Sequence, residues 1–423
     1  MMHGHDPDVL IAGAGPIGLF AALRLARAGV RVQIFDAERD TAANSYALAL
    51  HPRSLALLDQ VGLATEVQRR GMRVKTVAFY DRSERRAELS LAELGGAFPE
   101  VVVLPQNVLE DLLVQQLHER RVPVLWNHRL AEIEPQDDHV RVRVDRLEKR
   151  STGYATAATE WVVAASLRSH AKYVIGADGH HSLVRRRLGF DYEEVGPSAL
   201  FAVFEFTLDA PMTTEVRVIL DEDSTSVLWP LPGERCRWSF EVKDGGEILA
   251  PRAKNRLAVQ IGGRAYPYLD ASHLTEFLRQ RAPWFSGTAA QVSWSLLVRF
   301  ERRLTSRFGQ GRTWLAGDAA HMTGPVGVQS MNVGLREAAS LADGLLSLVK
   351  GRGGEDVLRE YENGFMAEWR RLLGLTAPPE LTDPWLVSRG SRLLSCIPAS
   401  GEDLSELLRR IRPITAQTEG QKR

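Results

Sequence analysis

The chain has 423 residues, 53 basic and 53 acidic side chains, and an apolar fraction of 44%. This length exceeds one ordinary core and predicts two or three domains or an interleaved pair. The balanced charge provides no basic surface for nucleic acid. The two cysteines argue against a disulfide scaffold or a zinc ribbon, and no run reaches the roughly 20 apolar residues of a membrane span. We expect a cytoplasmic monomer or homodimer that binds small molecules, without nucleic acid, membrane or metal.

The N-terminal stretch DPDVLIAGAGPIGLFAALRLARAGVRVQIFDAE predicts a strand, a glycine turn, a helix and a second strand. Gly13 permits the tight turn, Gly15 lets the backbone approach a pyrophosphate, and Gly18 allows close packing of helix on strand. Asp36 directly follows the second strand, where an acid is expected to hold a ribose hydroxyl, and Glu38 comes shortly after. The unit predicts a bound dinucleotide, and the alternative is a purely structural glycine turn.

Further elements follow along the middle of the chain. Apolar spacing predicts helices in YALALHPRSLALLDQVGL and NVLEDLLVQQLHER, and strands at 74–80, 101–104 and 140–145. The polar segment 146–171 is expected to form an exposed hairpin that carries no site.

A β-rich region follows at 200–299, with a helix near 274–281. In RCRWSFEV, the alternation of side chains places Trp238 and Phe240 on one face. These two residues and Trp229 are candidate substrate contacts, and a plain sheet core is the alternative. After the proline-rich LTAPPELTDP, we expect two short helices.

Two further segments decide which dinucleotide is bound. YVIGADGHHSLVRRRLG predicts a strand that ends in Gly176-Ala177-Asp178-Gly179, followed by Ser182 and Arg185 at the start of a helix. GRTWLAGDAAH predicts a strand that ends at Gly317 and Asp318, and a glycine-containing loop then leads into a helix expected over 331–348.

Together with the N-terminal GxGxxG, these segments resemble the three signatures of the class A, single-component flavoprotein monooxygenases, the aromatic hydroxylases similar to 4-hydroxybenzoate hydroxylase. The resemblance spans essentially the whole chain. It implies an α/β fold in which a Rossmann-like, GR2-type FAD-binding domain is interleaved with a β-sheet substrate-binding domain. The implied boundaries are 1–73, 106–190 and 301–375 for the FAD-binding domain, 74–105 and 191–300 for the substrate domain, and 376–423 for a C-terminal helical tail, without a thioredoxin-like domain.

The resemblance also implies roles for individual residues. Asp318 would bond the ribityl chain of FAD, and loop 325–332 would lie along the isoalloxazine ring with backbone amides near N1 and the C2 carbonyl. Asp178 belongs to a signature linked to both FAD and NAD(P)H, and Gln106 matches a position that contacts the flavin. Pro325 is also a candidate substrate contact. The expected cofactor-binding residues are Gly13, Gly15, Pro16, Ile17, Gly18, Asp36, Arg53, Gln106, Asp178, Arg185, Gly317, Asp318, Pro325, Gly327, Val328, Gln329, Ser330, Met331 and Asn332.

The chain departs from the family pattern at positions that bear on how the flavin moves and how NAD(P)H docks. Two dipeptides differ, because Gly324-Pro325 replaces Pro-Pro and Gly327-Val328 replaces Gly-Gly. The single replacements are Ser330 for a glycine, Glu337 for an Asp, His181 for an Arg, and Tyr46 for a flavin-contacting Arg.

The implied function is hydroxylation of an aromatic small molecule, phenolic or polycyclic, in natural-product tailoring or aromatic catabolism. NADPH or NADH would reduce FAD, O2 would form a C4a-hydroperoxyflavin, and the ring would take the distal oxygen. No residue is assigned as the catalytic base, and His321 is a weak candidate because it belongs to the signature itself. The alternatives are a flavin-dependent epoxidase or Baeyer-Villiger-type oxygenase, a reductase of isoprenoid chains, or a non-catalytic FAD-binding redox module. A halogenase is disfavoured, since no Trp-x-Trp-x-Ile-Pro stretch is found.

Overall fold

The computed structural model describes residues 6–41, 49–151, 159–209, 214–243, 258–261, 264–267, 269–285, 289–377 and 380–414. Its α-helices, in chain order, are α1 (Pro16–Arg27), α2 (Pro52–Gln60), α3 (Ala64–Arg70), α4 (Gln106–Glu119), α5 (Leu183–Arg187), α6 (Ala271–Arg281), α7 (Gln329–Val349), α8 (Asp356–Leu372), α9 (Pro384–Ser388), α10 (Gly390–Leu394) and α11 (Gly401–Arg409). None of these helices is long and apolar enough to cross a membrane.

The described strands, in the same order, are β1 (Val9–Ala12), β2 (Val32–Phe35), β3 (Ala49–Leu50), β4 (Met72–Val74), β5 (Thr76–Asp81), β6 (Glu84–Ser90), β7 (Val101–Val103), β8 (Val124–Leu125), β9 (His128–Pro135), β10 (Val140–Ser151), β11 (Thr159–Ala171), β12 (Tyr173–Gly176), β13 (Tyr192–Leu208), β14 (Glu215–Leu220), β15 (Thr225–Leu231), β16 (Arg235–Val242), β17 (Ala258–Ile261), β18 (Arg264–Pro267), β19 (Ala289–Thr305), β20 (Gly309–Gln310), β21 (Thr313–Leu315), β22 (His321–Met322) and β23 (Arg412–Pro413). Two 3-10 turns lie at Leu91–Leu94 and Gly317–Ala319.

A six-stranded sheet in the order β20-β21-β12-β1-β2-β8 forms the first layer. The strands β21, β12, β1, β2 and β8 run parallel to their neighbours. β1 is wholly apolar and buried along its length, as expected for a parallel strand covered on both faces. Because parallel strands end at the same edge of a sheet, the residues that follow β1, β12 and β21 meet there.

A nine-stranded sheet in the order β22-β19-β13-β16-β15-β14-β5-β6-β23 forms the second large layer. Its longest strands, β13 and β19, have 17 residues each and pair antiparallel with several register shifts. Such shifts bend a strand and increase its twist. β22 joins this sheet directly after the turn that follows β21, so the two sheets meet close to Asp318.

The two faces of the nine-stranded sheet pack against different partners. Trp229 belongs to the main hydrophobic core, which also includes the parallel sheet, and β15 contacts β7. Trp238 and Phe240 point to the opposite face, where their rings stack at 5.0 Å and lie in a separate core with α6 and Phe285. This placement favours the plain-core interpretation for Trp238 and Phe240, since Trp229 alone shares a core with the parallel sheet.

The predicted elements agree with the structure except near some ends. β1, α1 and β2 follow one another around the glycine turn as predicted, α7 begins two residues before the expected start, and segment 146–171 contributes to the antiparallel hairpin of β10 and β11. The prediction of two C-terminal helices was wrong, because the described tail holds α9, α10 and α11, and β23 pairs with β6. These helices are short and depend on tertiary contacts, which local periodicity does not report. The domain boundaries remain a prediction.

We expect Trp238→Ala to lower the free energy of unfolding by about 3–5 kcal/mol, because the indole is fully buried and its removal leaves a cavity. The matched control is Trp161→Ala, whose indole is 49% exposed, and its effect should stay within about 0.5 kcal/mol. Urea unfolding midpoints measure both. Equal losses in the two variants would contradict the placement of Trp238.

Candidate active site

The site is built where neighbouring parallel strands end. β1 leads into Gly13, β12 leads into Asp178, and β21 leads into Asp318. The strand order β21-β12-β1-β2 puts these three turns side by side, with Asp36 following β2. The sequence-predicted signatures, which lie up to about 300 residues apart, therefore converge on one edge of the sheet, the edge at which open α/β sheets bind ligands.

Backbone contacts leave no room for a side chain at two of the three signature glycines, whereas the third has open space beside it. A Cβ on Gly13 would lie 2.1 Å from the carbonyl oxygen of Ala177, and one on Gly18 would lie 2.0 Å from the carbonyl oxygen of Gly13. Gly15 differs, since no described atom lies within 4 Å of the Cβ position. The missing side chain at Gly15 therefore leaves room on the ligand side of the turn.

Gly15 is also the residue before α1, and the first turn of this helix carries neither a side-chain cap from a described residue nor an acid. Its amides are left to bind an anion, and the helix dipole favours negative charge there. Pro16 occupies the first helical position, where its lack of an N–H costs nothing. Ile17 packs between two backbones, because a Cβ on either Gly317 or Gly334 would lie within 2.9 Å of it.

Asp36 accepts a hydrogen bond from the backbone N–H of Ala14 at 2.6 Å and another from that of Glu38 at 2.8 Å. These bonds tie the end of β2 to the glycine turn. A carboxylate has about four acceptor positions, so Asp36 keeps capacity for a ligand hydroxyl.

Asp318 remains accessible to solvent at the end of β21, although many protein atoms lie around its carboxyl group. This burial raises the pKa of its carboxyl group, and His321 and the Ser330 hydroxyl partly offset the shift. The backbone carbonyl of Asp318 accepts a hydrogen bond from the Tyr192 hydroxyl at 3.0 Å. The carboxylate is thus an available acceptor at the edge where the turns converge.

Glu337, the replacement for the family's Asp, holds the strand end below Asp318. Its Oε2 accepts from the Gly317 N–H at 2.8 Å and from His321 Nε2 at 2.9 Å, and its Oε1 accepts from the Trp369 indole at 2.6 Å. His321 is fully buried and stacks on Trp369 at 3.7 Å. His321 therefore supports Glu337, and its complete burial argues against direct contact with a substrate.

Asp178 and Arg185 are both engaged with the backbone around them. Asp178 accepts from the Ser182 hydroxyl and the backbone N–H of Leu183 at the start of α5. Arg185 donates to the Ala319 carbonyl at 2.7 Å, and its guanidinium lies 3.7 Å from the centre of the Tyr192 ring. Asp178 thus holds the start of α5, and Arg185 joins this segment to the turn after β21. Direct contact of either residue with a cofactor remains a prediction.

The loop before α7 is fixed by side chains from distant segments. Asn332 Nδ2 donates to the carbonyls of Ala49 and Val328, and its Oδ1 accepts from the His51 N–H. Val328 has φ 52° and ψ 41°, a left-handed conformation that is unfavourable for a β-branched residue. The Asn332 side chain is therefore used within the protein, which leaves the backbone amides of this helix start for a ligand.

Other expected cofactor residues have protein partners. Arg53 pairs with Glu402 at 2.8 Å and Asp403 at 2.9 Å on α11, and Gln106 donates to Glu110 at 2.8 Å. Pro325 lies in the loop before α7, Ser330 and Met331 lie in the first turn of α7, and the roles of all three remain predictions. Tyr46 falls outside the described residues.

Sequence reasoning missed three contributors to the site. The predicted site residues did not include Tyr192, whose hydroxyl donates to the Asp318 carbonyl, or His51, which contacts the Gly327 carbonyl. They also did not include the tail residues Leu394 and Ile397, whose carbonyls accept hydrogen bonds from Gln329. No local pattern signals such contacts, because the partners are 65 or more positions apart.

The residues present fit FAD. The open face of Gly15 and the free amides at α1 suit a pyrophosphate, Asp36 and Asp318 suit sugar and ribityl hydroxyls, and the uncapped start of α7 suits the electron-rich edge of a reduced ring. A Cβ on Gly324 would also meet no described atom within 4 Å, so the loop leaves space beside it.

Comparison with known proteins agrees with this geometry. A family model described as FAD binding domain matches residues 6–371. The chain is 30% identical over 379 residues to 6-methylpretetramide 4-monooxygenase of Streptomyces rimosus, covering 88% of this chain and 61% of that protein. It is 25% identical to para-nitrophenol 4-monooxygenase of Pseudomonas sp. strain WBC-3, covering 84% and 81%. The chain thus spans less than two thirds of the first relative.

A solved structure shares the fold. The crystal structure of p-nitrophenol 4-monooxygenase from Pseudomonas putida DLL-E4 superposes with a TM-score of 0.70 at 23% identity, covering 96% of both chains. The matched family model identifies an FAD-binding protein, and the superposition shows the same fold. The chain belongs to the FAD-binding family of class A flavoprotein monooxygenases, as the sequence resemblance predicted.

We expect Gly15→Ala to weaken FAD binding at least tenfold, roughly 1.4 kcal/mol, because the new methyl group enters the space for the pyrophosphate. The folded apoprotein should keep its thermal midpoint, since no described atom lies near that methyl. Gly354→Ala is the matched control, also without a neighbour within 4 Å, and should change neither quantity. Fluorescence titration measures FAD affinity, and unchanged affinity in Gly15→Ala would place the pyrophosphate elsewhere.

His51 makes stability depend on pH. Its Nε2 lies 2.8 Å from the Gly327 carbonyl, and burial lowers its pKa from 6.5 to about 3. Between about pH 6.5 and 3, the unfolded chain therefore binds a proton at His51 that the folded chain does not bind. The free energy of unfolding falls as the pH falls through this range. We expect wild type to lose up to about 1.4 kcal/mol per pH unit more than His51→Gln in urea unfolding. Parallel pH profiles would mean that His51 is protonated in the folded protein.

Proposed function

We propose that this protein is an FAD-dependent, NAD(P)H- and O2-consuming hydroxylase of an aromatic small molecule. The observation that carries the proposal is the convergence of the Gly13 turn, Asp318 and the start of α7 on one edge of the parallel sheet, beside the nine-stranded sheet. The named activities of the two relatives described above, both monooxygenases, support the same reaction class.

When bound, FAD supplies hydride acceptance and the activation of O2, which the protein side chains do not provide. The chain's own residues would bind and orient it. Amides at the starts of α1 and α7 would face its negative charge without a cationic side chain, and the carboxylates of Asp36 and Asp318 would accept hydrogen bonds from its hydroxyls. Glu337 and His321 would keep Asp318 in place through the backbone of Gly317.

We place the substrate between the start of α7 and the face of the nine-stranded sheet that carries Trp229. This indole is 1% exposed, and its N–H has no acceptor among the described residues. An indole N–H buried without an acceptor is unfavourable, so a polar group of a substrate could satisfy it. The para-nitrophenol named for one relative is a phenol, and we propose phenols as the first compounds to test.

The decisive experiment follows the visible spectrum of the purified holoprotein under anaerobic conditions. FAD bands near about 375 and 450 nm should bleach on addition of NADPH or NADH, and one compound from a phenolic and quinone-like panel should accelerate the bleaching. Product analysis in air with that compound should then show one added oxygen atom. FAD that no nicotinamide reduces would instead support a binding module or a flavin reduced by another protein.

We also expect Asp318→Asn to weaken FAD binding about tenfold, because the amide is a poorer acceptor for ribityl hydroxyls than a carboxylate. The matched control is Asp356→Asn at the start of α8, whose side chain is 84% exposed and should leave FAD affinity unchanged. Fluorescence titration of both apoproteins provides the comparison. Equal affinities would remove Asp318 from the cofactor site.

A further inference from the structure

The turn that leads into α7 adopts a conformation that its sequence disfavours. Val328 is left-handed at φ 52°, although a β-branched side chain avoids this region, and the family pattern has glycine at this position. Such a conformation persists only where the surroundings hold it. Contacts from neighbouring residues must therefore hold Gly327 and Val328 in this conformation.

Side chains hold this turn from two directions. On one side, His51 Nε2 lies 2.8 Å from the Gly327 carbonyl, and since a carbonyl only accepts, this nitrogen carries the proton. On the other side, Gln329 Nε2 donates to the carbonyls of Leu394 at 2.8 Å and Ile397 at 3.4 Å. His51 and Gln329 are both 1% exposed, so these bonds form away from water.

The backbone partner of Gln329 belongs to a segment that we call the C-terminal strap, residues 384–413. The strap lies directly against the turn, because a Cβ on Gly327 would be 2.6 Å from the Ser395 carbonyl oxygen and 3.0 Å from that of Ile397. Even an alanine would not fit at Gly327 without movement. The strap and the turn are thus complementary in shape.

The strap is anchored at its other contacts to the nine-stranded sheet. Arg392 donates to the backbone carbonyls of Asp221, Glu222 and Ser224 in the turn between β14 and β15. Arg389 donates to the Leu220 carbonyl at 2.8 Å. The strap therefore links the turn before α7 to the strand β15 that carries Trp229.

We propose that His51 and Gln329 are positioning residues that hold the Gly327–Val328 turn against the C-terminal strap. They keep the amides at the start of α7 at a fixed distance from the face of the nine-stranded sheet that carries Trp229, where we place the substrate. This inference rests on FAD binding at that helix start and deepens the proposed function. At Val328, these contacts stabilise a left-handed conformation that a glycine would adopt without strain.

Gln329→Leu tests the proposal on apoprotein and FAD alone. The substitution removes the donor to both strap carbonyls, and FAD affinity should fall about tenfold in a fluorescence titration. The thermal midpoint of the apoprotein should shift by no more than about 2 °C, because Gln329 Oε1 has no partner among the described residues and leucine removes that buried acceptor too. Gln115→Leu on the exposed face of α4 is the matched control and should change neither value.

His51 provides the second variant pair. His51→Leu should weaken FAD binding as Gln329→Leu does, whereas His51→Gln keeps an N–H donor of similar reach and should restore affinity to within about threefold of wild type. Wild-type affinity in both Gln329→Leu and His51→Leu overturns the proposal. Equal weakening in His51→Leu and His51→Gln also overturns it, since the hydrogen bond to Gly327 would then be irrelevant.

A separate measurement connects the turn to turnover. The fraction of NAD(P)H electrons released as hydrogen peroxide should rise at least twofold in Gln329→Leu, because a displaced helix start would no longer keep cofactor and substrate aligned. If the wild-type holoprotein oxidises no NAD(P)H with any aromatic compound, the proposed function fails. The FAD titrations still decide the role of His51 and Gln329 in that case.

Discussion

The contact between Gly13 and the Ala177 carbonyl is the constraint on which the site depends. Because Gly13 has no Cβ, the turn after β1 can lie directly against the turn after β12. Gly18 approaches the Gly13 carbonyl equally closely for the same reason. Two turns so near one another leave their outward sides free for a ligand. The same approach brings α1 to the sheet edge, where its uncapped amides meet the ends of four parallel strands.

A second, buried network supports the neighbouring strand end. Glu337 receives hydrogen bonds from the Gly317 amide, His321 and Trp369, all shielded from water. A buried carboxylate is stable only when it is well satisfied in this way. The longer Glu at this position, where the family pattern has Asp, still reaches all three donors, so the departure is compatible with the placement of Asp318.

The tail has a larger role than its short helices indicate. It contacts the turn before α7 through Gln329, the N-terminal region through Arg53, and the nine-stranded sheet through Arg389 and Arg392. The segment around His51 and the C-terminal strap therefore both contact the proposed cofactor loop. This arrangement explains how Val328 retains a left-handed backbone at the start of a 21-residue helix.

The sequence by itself determined the βαβ unit at the N-terminus, the strand ends that carry Asp36, Asp178 and Asp318, and most helices and strands. These features follow from apolar periodicity and from glycine spacing, which act over a few residues. The resemblance of three signatures then predicted the family, and the comparisons confirmed it.

Only the tertiary structure decided which face of the nine-stranded sheet each tryptophan occupies, although strand alternation correctly put Trp238 and Phe240 on one face. It also decided that Arg53 pairs with α11 and that Gln329 binds the C-terminal strap. A strand's alternation separates its two faces but does not say what covers each one. Partners hundreds of positions apart meet only after the sheets have assembled, so their contacts leave no local pattern in the sequence.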